Sequence, residues 1–260
     1  MERLKQLHLP KERSPYIKPI DYIYNSQQNS VITEGAIPLC VPRDMDYKVI
    51  KGIGASKCFI KNTWHFPFND IKQPEILPYL PLIYRYDLEP PFIKPNLVPQ
   101  PIWGINLRSL LPTKIWGEIK HSVYEHTDYI CTICGGKGND WPIECNEIWE
   151  YVVTDKKGIA KLTNLIGLCP NCHRIQHLGK ANVDNVLQDT IEYMGFINCW
   201  EPKIARKKAD EAFNKWEQLS KITLWDFDFT WFNNYFGTDL NISKNRVNKL
   251  QQRFLNIGKS

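Results

Sequence analysis

No apolar run in this chain approaches the roughly 18 to 20 residues that span a bilayer. The opening stretch, MERLKQLHLPKERSP, has no apolar core of the kind a secretion signal carries. The expectation is a cytoplasmic protein with no membrane partner. No internal repeat is visible, no glycine-rich loop is built to cradle phosphate, and no Ser-His-Asp arrangement stands out. Charge of one sign does not dominate either, since 33 Lys and Arg stand against 28 Asp and Glu. The formal charge of +5 falls to about +3 if four thiolates hold one zinc ion. That balance permits a phosphate-backbone partner without requiring one.

What is present fits a folded protein. Hydrophobic residues make up 43% and charged residues 23% of 260 residues, enough for two modest units. Residues 1 to 35 mix charge with polar residues and show no sustained period, as expected of an irregular leader. Residues 36 to 70 read as a small α+β accessory module. IPLCV is a strand, Asp44 is an N-cap for a helix reaching Lys51, and CFIKNTWHF is a hairpin with Asn62 at its turn. Val41, Pro42, Asp44, Lys51, Gly54, Ala55, Trp64 and Pro67 resemble the pattern of a small domain of unknown function found in primases and other DNA-processing proteins. A generic structural module is the competing reading.

Residues 71 to 102 hold eight prolines, at positions 74, 78, 81, 90, 91, 95, 99 and 101, and read as a linker short of hydrogen-bond donors. Leu80, Leu82, Ile83, Tyr84 and Phe92 within it imply that it packs along a surface. A third region, 103 to 236, carries the chemistry. Ile115 to Tyr124 reads as a helix with Trp116, Ile119 and Val123 on one face. Pro202 to Ile222 is a longer one, with a stripe of Ala205, Ala209, Ala212, Phe213, Trp216 and Leu219. The charged face of the latter, Lys203, Arg206, Lys207 and Lys208, is either solvated or laid along a phosphate backbone. Residues 237 to 260 end the chain with a helix from Ile242 to Phe254.

The cysteines supply the sharpest signal. Cys131-Thr-Ile-Cys134 and Cys169-Pro-Asn-Cys172 have the spacing of two knuckles that meet around one tetrahedral zinc. Four sulfurs saturate the ion, so this site folds the chain and does no chemistry. Gly135 and Gly136 follow the first knuckle, where the backbone turns around the metal. Directly after the second come His173 and His177, whose i, i+4 spacing sets both imidazoles on one helical face, able to share a second metal.

The run from Cys131 through Asn164, Cys169, Cys172, His173 and His177 resembles the HNH, or ββα-metal, endonucleases. WPIECNEIWEY at 141 to 151 is similar to the hairpin strand of a phage and bacterial branch of that family, and the likeness extends from about 103 to about 232, ending near Trp225 and Asp226. The resemblance implies an α+β fold with a zinc-bound ββα-metal core and flanking helices. It implies metal-dependent hydrolysis of DNA phosphodiester bonds, with RNA as an alternative substrate. By the same likeness, Asn164 orients the hairpin loop, and His173 with His177 binds the catalytic ion. Lys161, Arg174 and Lys180 are plausible phosphate contacts.

One departure matters. Where the branch has histidine on the hairpin, this chain has Asn146, followed by Glu147. An amide is no general base near neutral pH. Glu147 is therefore expected to complete the shell or act as base, which favours magnesium or manganese over nickel or zinc. The alternative is a silent zinc module that binds nucleic acid or a protein partner, as in a contest between phage and host. His121 and His126 are expected in structural or solvent roles, His65 on the surface of its module, Cys40 and Cys58 as buried free thiols, and Cys145 in the core. Oligomeric state is not legible.

Overall fold

The computed structural model describes residues 23–25, 30–32, 36–58, 62–67, 73–138, 141–154 and 157–242, together with 247 and 249. Among the described residues helices are mixed with strands, and the strands form three small sheets. Strands β1 (Ile23–Asn25) and β2 (Ser30–Ile32) form an antiparallel pair within the leader. The helix expected from Ile242 to Phe254 lies almost wholly outside the described residues. Among the described residues no helix is long and apolar enough to cross a membrane.

The N-terminal unit is a strand, a helix and a hairpin: β3 (Ala36–Pro38), α1 (Tyr47–Gly52), β4 (Ser56–Cys58) and β5 (Thr63–Pro67), with strand order β3-β5-β4, all antiparallel. Its core is Ile37, Leu39, Val41, Ile50, Trp64 and Phe66. Asn62 turns back into β5 with φ 46°. The cap differs from expectation. Asp46, not Asp44, starts α1, because its carboxylate takes the Lys48 N–H at 2.8 Å and satisfies one of the orphan donors of the first turn. Asp44 lies two residues too early.

The proline-dense segment is a strap over three cores. It holds short 3-10 turns at Pro74–Tyr79, Leu82–Tyr84 and Gln100–Ile102. Ile76 and Leu80 enter the N-terminal core, Ile83, Phe92 and Ile93 the core around the cysteines, and Ile102 the core of the central sheet. A chain rich in proline cannot join a ladder, so its remaining polar groups need side-chain partners. The fully buried Asn198 provides them. Its Oδ1 accepts the N–H groups of Phe92 (2.8 Å) and Ile93 (3.2 Å), and its Nδ2 donates to the carbonyls of Ile93 and Met194. Farther along, Gln176 Nε2 donates to the Lys94 carbonyl at 2.7 Å and Asn96 Nδ2 to the Trp149 carbonyl at 2.7 Å.

After α2 (Leu107–Leu110) and α3 (Thr113–His126) comes the central hairpin, β6 (Glu144–Thr154) with β7 (Lys157–Leu168). The ladder slips between Ile148 and Trp149, where Ile148 faces Asn164 but Trp149 faces Leu162. This bulge leaves Thr163 to donate its hydroxyl to the Ile148 carbonyl. β7 runs straight into α4 (Pro170–Gln176), followed by α5 (Leu178–Val183), α6 (Leu187–Ile197) and α7 (Pro202–Ser220). These four helices form the long connection that a parallel neighbour requires, and β8 (Leu224–Asp228) then pairs parallel to β7. Gly158 permits that docking, since a Cβ there would meet the Trp225 ring at 2.5 Å. Helix α8 (Thr230–Phe236) closes the second core with Phe232.

Asn198 offers a direct test of the strap. Replacing it with Ala leaves buried backbone donors without partners, and we expect urea unfolding to show a loss of about 2–4 kcal/mol. A change below about 0.5 kcal/mol would show that the strap is held by its apolar side chains alone.

Candidate metal centre and adjoining cleft

The four cysteines come together. Cys131 and Cys134 sit in the loop between α3 and the hairpin, Cys169 caps α4 and Cys172 lies in its first turn. Their sulfurs all lie within 4.8 Å of one another, Cys134 and Cys169 at 3.6 Å, and all four side chains are buried. Sulfurs about 2.3 Å from a tetrahedral zinc stand roughly 3.8 Å apart, so the cluster has the size and the soft donors for such an ion. Without one, burial and the neighbouring sulfurs push the Cys172 thiol well up. Gly135 turns the first knuckle with φ 73°, and a Cβ on it would strike Pro38 at 2.7 Å and Pro81 at 3.0 Å. The Gly136 N–H donates to Cys134 Sγ at 3.3 Å, and Tyr193 of α6 lies 3.8 Å from Cys172 Sγ. Among the described residues this is the one group of three or more Cys, His, Asp or Glu side chains whose ligand atoms converge in this way.

The histidines after the second knuckle are also adjacent. Their ring centroids are 4.6 Å apart at 74°. Helix α4 ends at Gln176, so His177 caps it with φ −116°, yet the ring still turns back onto His173. Burial pulls both imidazoles down to about 4, and for His177 the neighbouring His173 adds to the effect. Both are neutral near pH 7 and keep a lone pair for a ligand. His173 Nδ1 lies 3.2 Å from Glu144 Oε2, whose own pKa is raised by burial. An imidazole whose Nδ1–H is held by a carboxylate presents its Nε2 outward in a fixed tautomer.

Strand parity decides which hairpin residues join the pair. Side chains alternate, so Glu144 and Asn146 share a face while Cys145, Glu147 and Trp149 take the other. The structure therefore does not bring Glu147 to the histidines. Its Oε1 accepts the Leu107 N–H at 2.9 Å and its Oε2 accepts Trp149 Nε1 at 2.9 Å, which ties α2 to the sheet. With Glu147 turned away, the expectation of magnesium or manganese loses its carboxylate, and the carboxylate beside the histidines is Glu144. Asn146 is 2% exposed and its Nδ2 donates to the Glu147 carbonyl at 3.2 Å. Asn164 accepts the N–H of Leu165 on its own Oδ1 at 2.8 Å and shapes the strand at the bulge.

Among the proposed phosphate contacts, Lys180 lines the cleft beside the histidines and forks onto Asp184 at 2.8 and 2.9 Å. Arg174 is exposed and close enough to Glu144 to favour its charge. Lys161 stands opposite Glu150 on the ladder, away from the cleft lining. His121 and His126 are exposed and do not line the cleft. Against expectation, His65 is buried, 3% exposed, with Nδ1 3.0 Å from the Thr63 carbonyl, because β5 is the central strand of its sheet. Cys40 is a buried free thiol, but it lies beside the metal cluster, with Sγ 3.9 Å from the Cys131 carbonyl. Cys145 is half-buried against the second core, and burial pushes its thiol up to about 12. The side chain of Cys58 lies outside the described residues.

The cleft has a volume of about 1140 Å³. Besides Glu144, Asn146, His173 and His177, it is lined by residues that the motif did not mark: Trp103, Trp116 and Trp216, with Arg108 and Lys120. Glu144 carried a readable signal, since a residue two before Asn146 must share its face. The tryptophans come from three separate segments and carried none. No family model, curated protein or solved structure matches the chain.

Glu147 gives the site a pH signature. Burial raises its pKa to about 7, although the two hydrogen bonds from Leu107 and Trp149 pull the other way. Above the ordinary carboxylate range and up to about pH 7 the native state holds a proton that the unfolded chain has released. Stability therefore falls as pH rises across that window, by up to roughly 3 kcal/mol, and levels off beyond it. Urea unfolding of wild type and Glu147→Gln between about pH 4.5 and 8 should diverge by that amount, with the slope lost in the variant. Parallel curves would show that the carboxyl is solvated.

Proposed function

We propose that the chain is a metal-dependent endonuclease of the HNH, ββα-metal type, acting on DNA. The reading is carried by one observation: a long hairpin runs directly into a helix so that Glu144, Asn146, His173 and His177 meet on the wall of one cleft that also presents Arg108, Lys120 and Lys180. His173, oriented by Glu144, and His177 would hold a divalent ion. Two imidazole nitrogens suit a borderline ion such as manganese or nickel better than magnesium. Bound there, the ion supplies Lewis-acid stabilisation of the scissile phosphate and a water of lowered pKa.

The chain's own residues do the remainder. Glu144 fixes the His173 tautomer. Asn146, almost wholly buried with its amide held by the Glu147 carbonyl, props the strand behind Glu144, and the cations steer the backbone into the cleft. Asn146 has no basic nitrogen, so taking the proton from the attacking water would fall to Glu144, whose carboxyl burial holds above its ordinary pKa. The four-cysteine cluster, read as a zinc site, holds the hairpin end against α4.

A second reading is favoured by Asn146 itself and by the histidine pair reaching, among the described residues, no third ligand within the range that the cysteines achieve. In that reading the protein is a silent zinc module that binds nucleic acid or a protein partner. Nicking of supercoiled plasmid with manganese, nickel or magnesium separates the two. We expect metal-dependent nicking that His173→Ala and Glu144→Ala each reduce at least about 100-fold, with Glu147→Gln close to wild type. Folded protein with its cysteine-bound zinc that cuts nothing with any of the three ions would contradict the nuclease.

A further inference from the structure

We infer that the cleft takes an unpaired strand, with one base stacked on the exposed indole of Trp103. This deepens the nucleic-acid reading above and rests on it. Trp103 follows the Gln100–Ile102 turn of the strap and is 46% exposed, although it lines the cleft. Its ring stacks on Trp216 of α7, with centroids 6.2 Å apart and planes at 21°. One carbonyl holds both rings. Trp103 Nε1 donates to the Val98 oxygen at 2.7 Å, and Trp216 Nε1 donates to the same oxygen at 2.9 Å. The turn is tied down as well, since the Gln100 N–H donates to Ser220 Oγ at the end of α7 at 3.1 Å.

The chemistry of this pair is restricted. Each indole has one donor, and both are spent on Val98, so neither ring is placed to hydrogen-bond a ligand. What Trp103 offers to the cleft is a flat π-face, immobilised before any ligand arrives. Such a platform gains about 1–3 kcal/mol per stacked base and is indifferent to base identity. A base inside a duplex has both faces covered by its neighbours, so only an unpaired base can use the platform. Charge decides the rest. Arg108, Lys120 and Lys180 line the same cleft and outnumber its two carboxylates, Glu144 beside the neutral His173 and Glu147 with both oxygens in hydrogen bonds. The balance of charge in the lining is positive, which suits a polyanion threading past the indole more than a neutral aromatic ligand.

The test is fluorescence anisotropy of labelled strands of about a dozen nucleotides, oligothymidylate and oligouridylate, beside a blunt DNA duplex of equal length, in buffer without added divalent ion. The variants are Trp103→Leu, which keeps an apolar side chain but removes the ring face, and Trp103→Phe, which keeps a ring. Unchanged zinc content verifies folding. We expect wild type to bind an unpaired strand at least about tenfold more tightly than the duplex, and the tighter of the two strands names the sugar. Trp103→Leu should weaken strand binding about 5- to 100-fold, Trp103→Phe should recover most of it, and duplex binding should stay the same in both. Equal binding of strand and duplex, with Trp103→Leu without effect, would overturn the stacking site and leave the nuclease reading standing. Failure of every nucleic acid to bind folded wild type would overturn that reading and this inference with it.

Discussion

Four buried sulfurs within 4.8 Å of one another are the constraint on which the rest of the molecule depends. Buried thiols at that spacing have little cohesion of their own, and at Cys172 burial and the neighbouring sulfurs make ionisation harder. An ion such as zinc turns them into a four-way joint. Each side of the joint carries a different part of the chain. Pro38 of the N-terminal unit and Pro81 of the strap rest on the Gly135 turn. The Leu82 and Ile83 N–H groups donate to the carbonyls of Thr132 and Ile133, inside the first knuckle. The Thr132 N–H donates in turn to Gly167 at the end of β7, and the second knuckle is the start of α4. Around this joint, Arg43 pairs with Asp128 at 3.1 Å and covers the Tyr129 ring, while Lys137 reaches Thr63.

The cleft is a consequence of that joint. With the end of β7 and the start of α4 held together, the strand that pairs with β7 must pass beside the first turns of α4, so Glu144 meets His173. The alternation of β6 then divides its labour. One face brings Glu144 to His173, and the other sends Trp149 into the second core and Glu147 to the start of α2, although both faces contribute to the cleft lining. The strap closes the opposite wall, because Val98 clasps Trp103 and Trp216 together. A centre that does no chemistry of its own thereby positions the groups that we propose do.

The parts legible in the sequence were local. Both C-x-x-C pairs, the adjacent histidines and the helices around Ile119 and Ala209 follow from spacing within a few residues of each other, while the hairpin strand within 141 to 151 rested on the family resemblance. Less was legible where two nearby residues of the same kind compete. Asp44 and Asp46 are both capping residues by type, and only the chain path into α1 selects the second. Glu144 and Glu147 are both carboxylates beside Asn146, and Glu147 was preferred for adjacency when parity points to Glu144. His65 looked like a surface residue because its place in a central strand depends on pairing with segments on both sides. The aromatic wall was beyond reach, since Trp103, Trp116 and Trp216 meet only through packing of the strap, α3 and α7.

The most direct test of this account is amide hydrogen exchange on zinc-loaded and zinc-stripped protein. If the cysteine cluster is the joint, stripping the metal should remove protection at Thr132 and Ile133 and also at Leu82, Ile83, Leu39 and Cys40, whose backbone bonds lie outside the knuckles. The far end of the hairpin, around Tyr151 and Ala160, should keep its protection. Loss confined to residues 131–136 and 169–173 would contradict it, because the N-terminal unit and the strap would then be held without the metal.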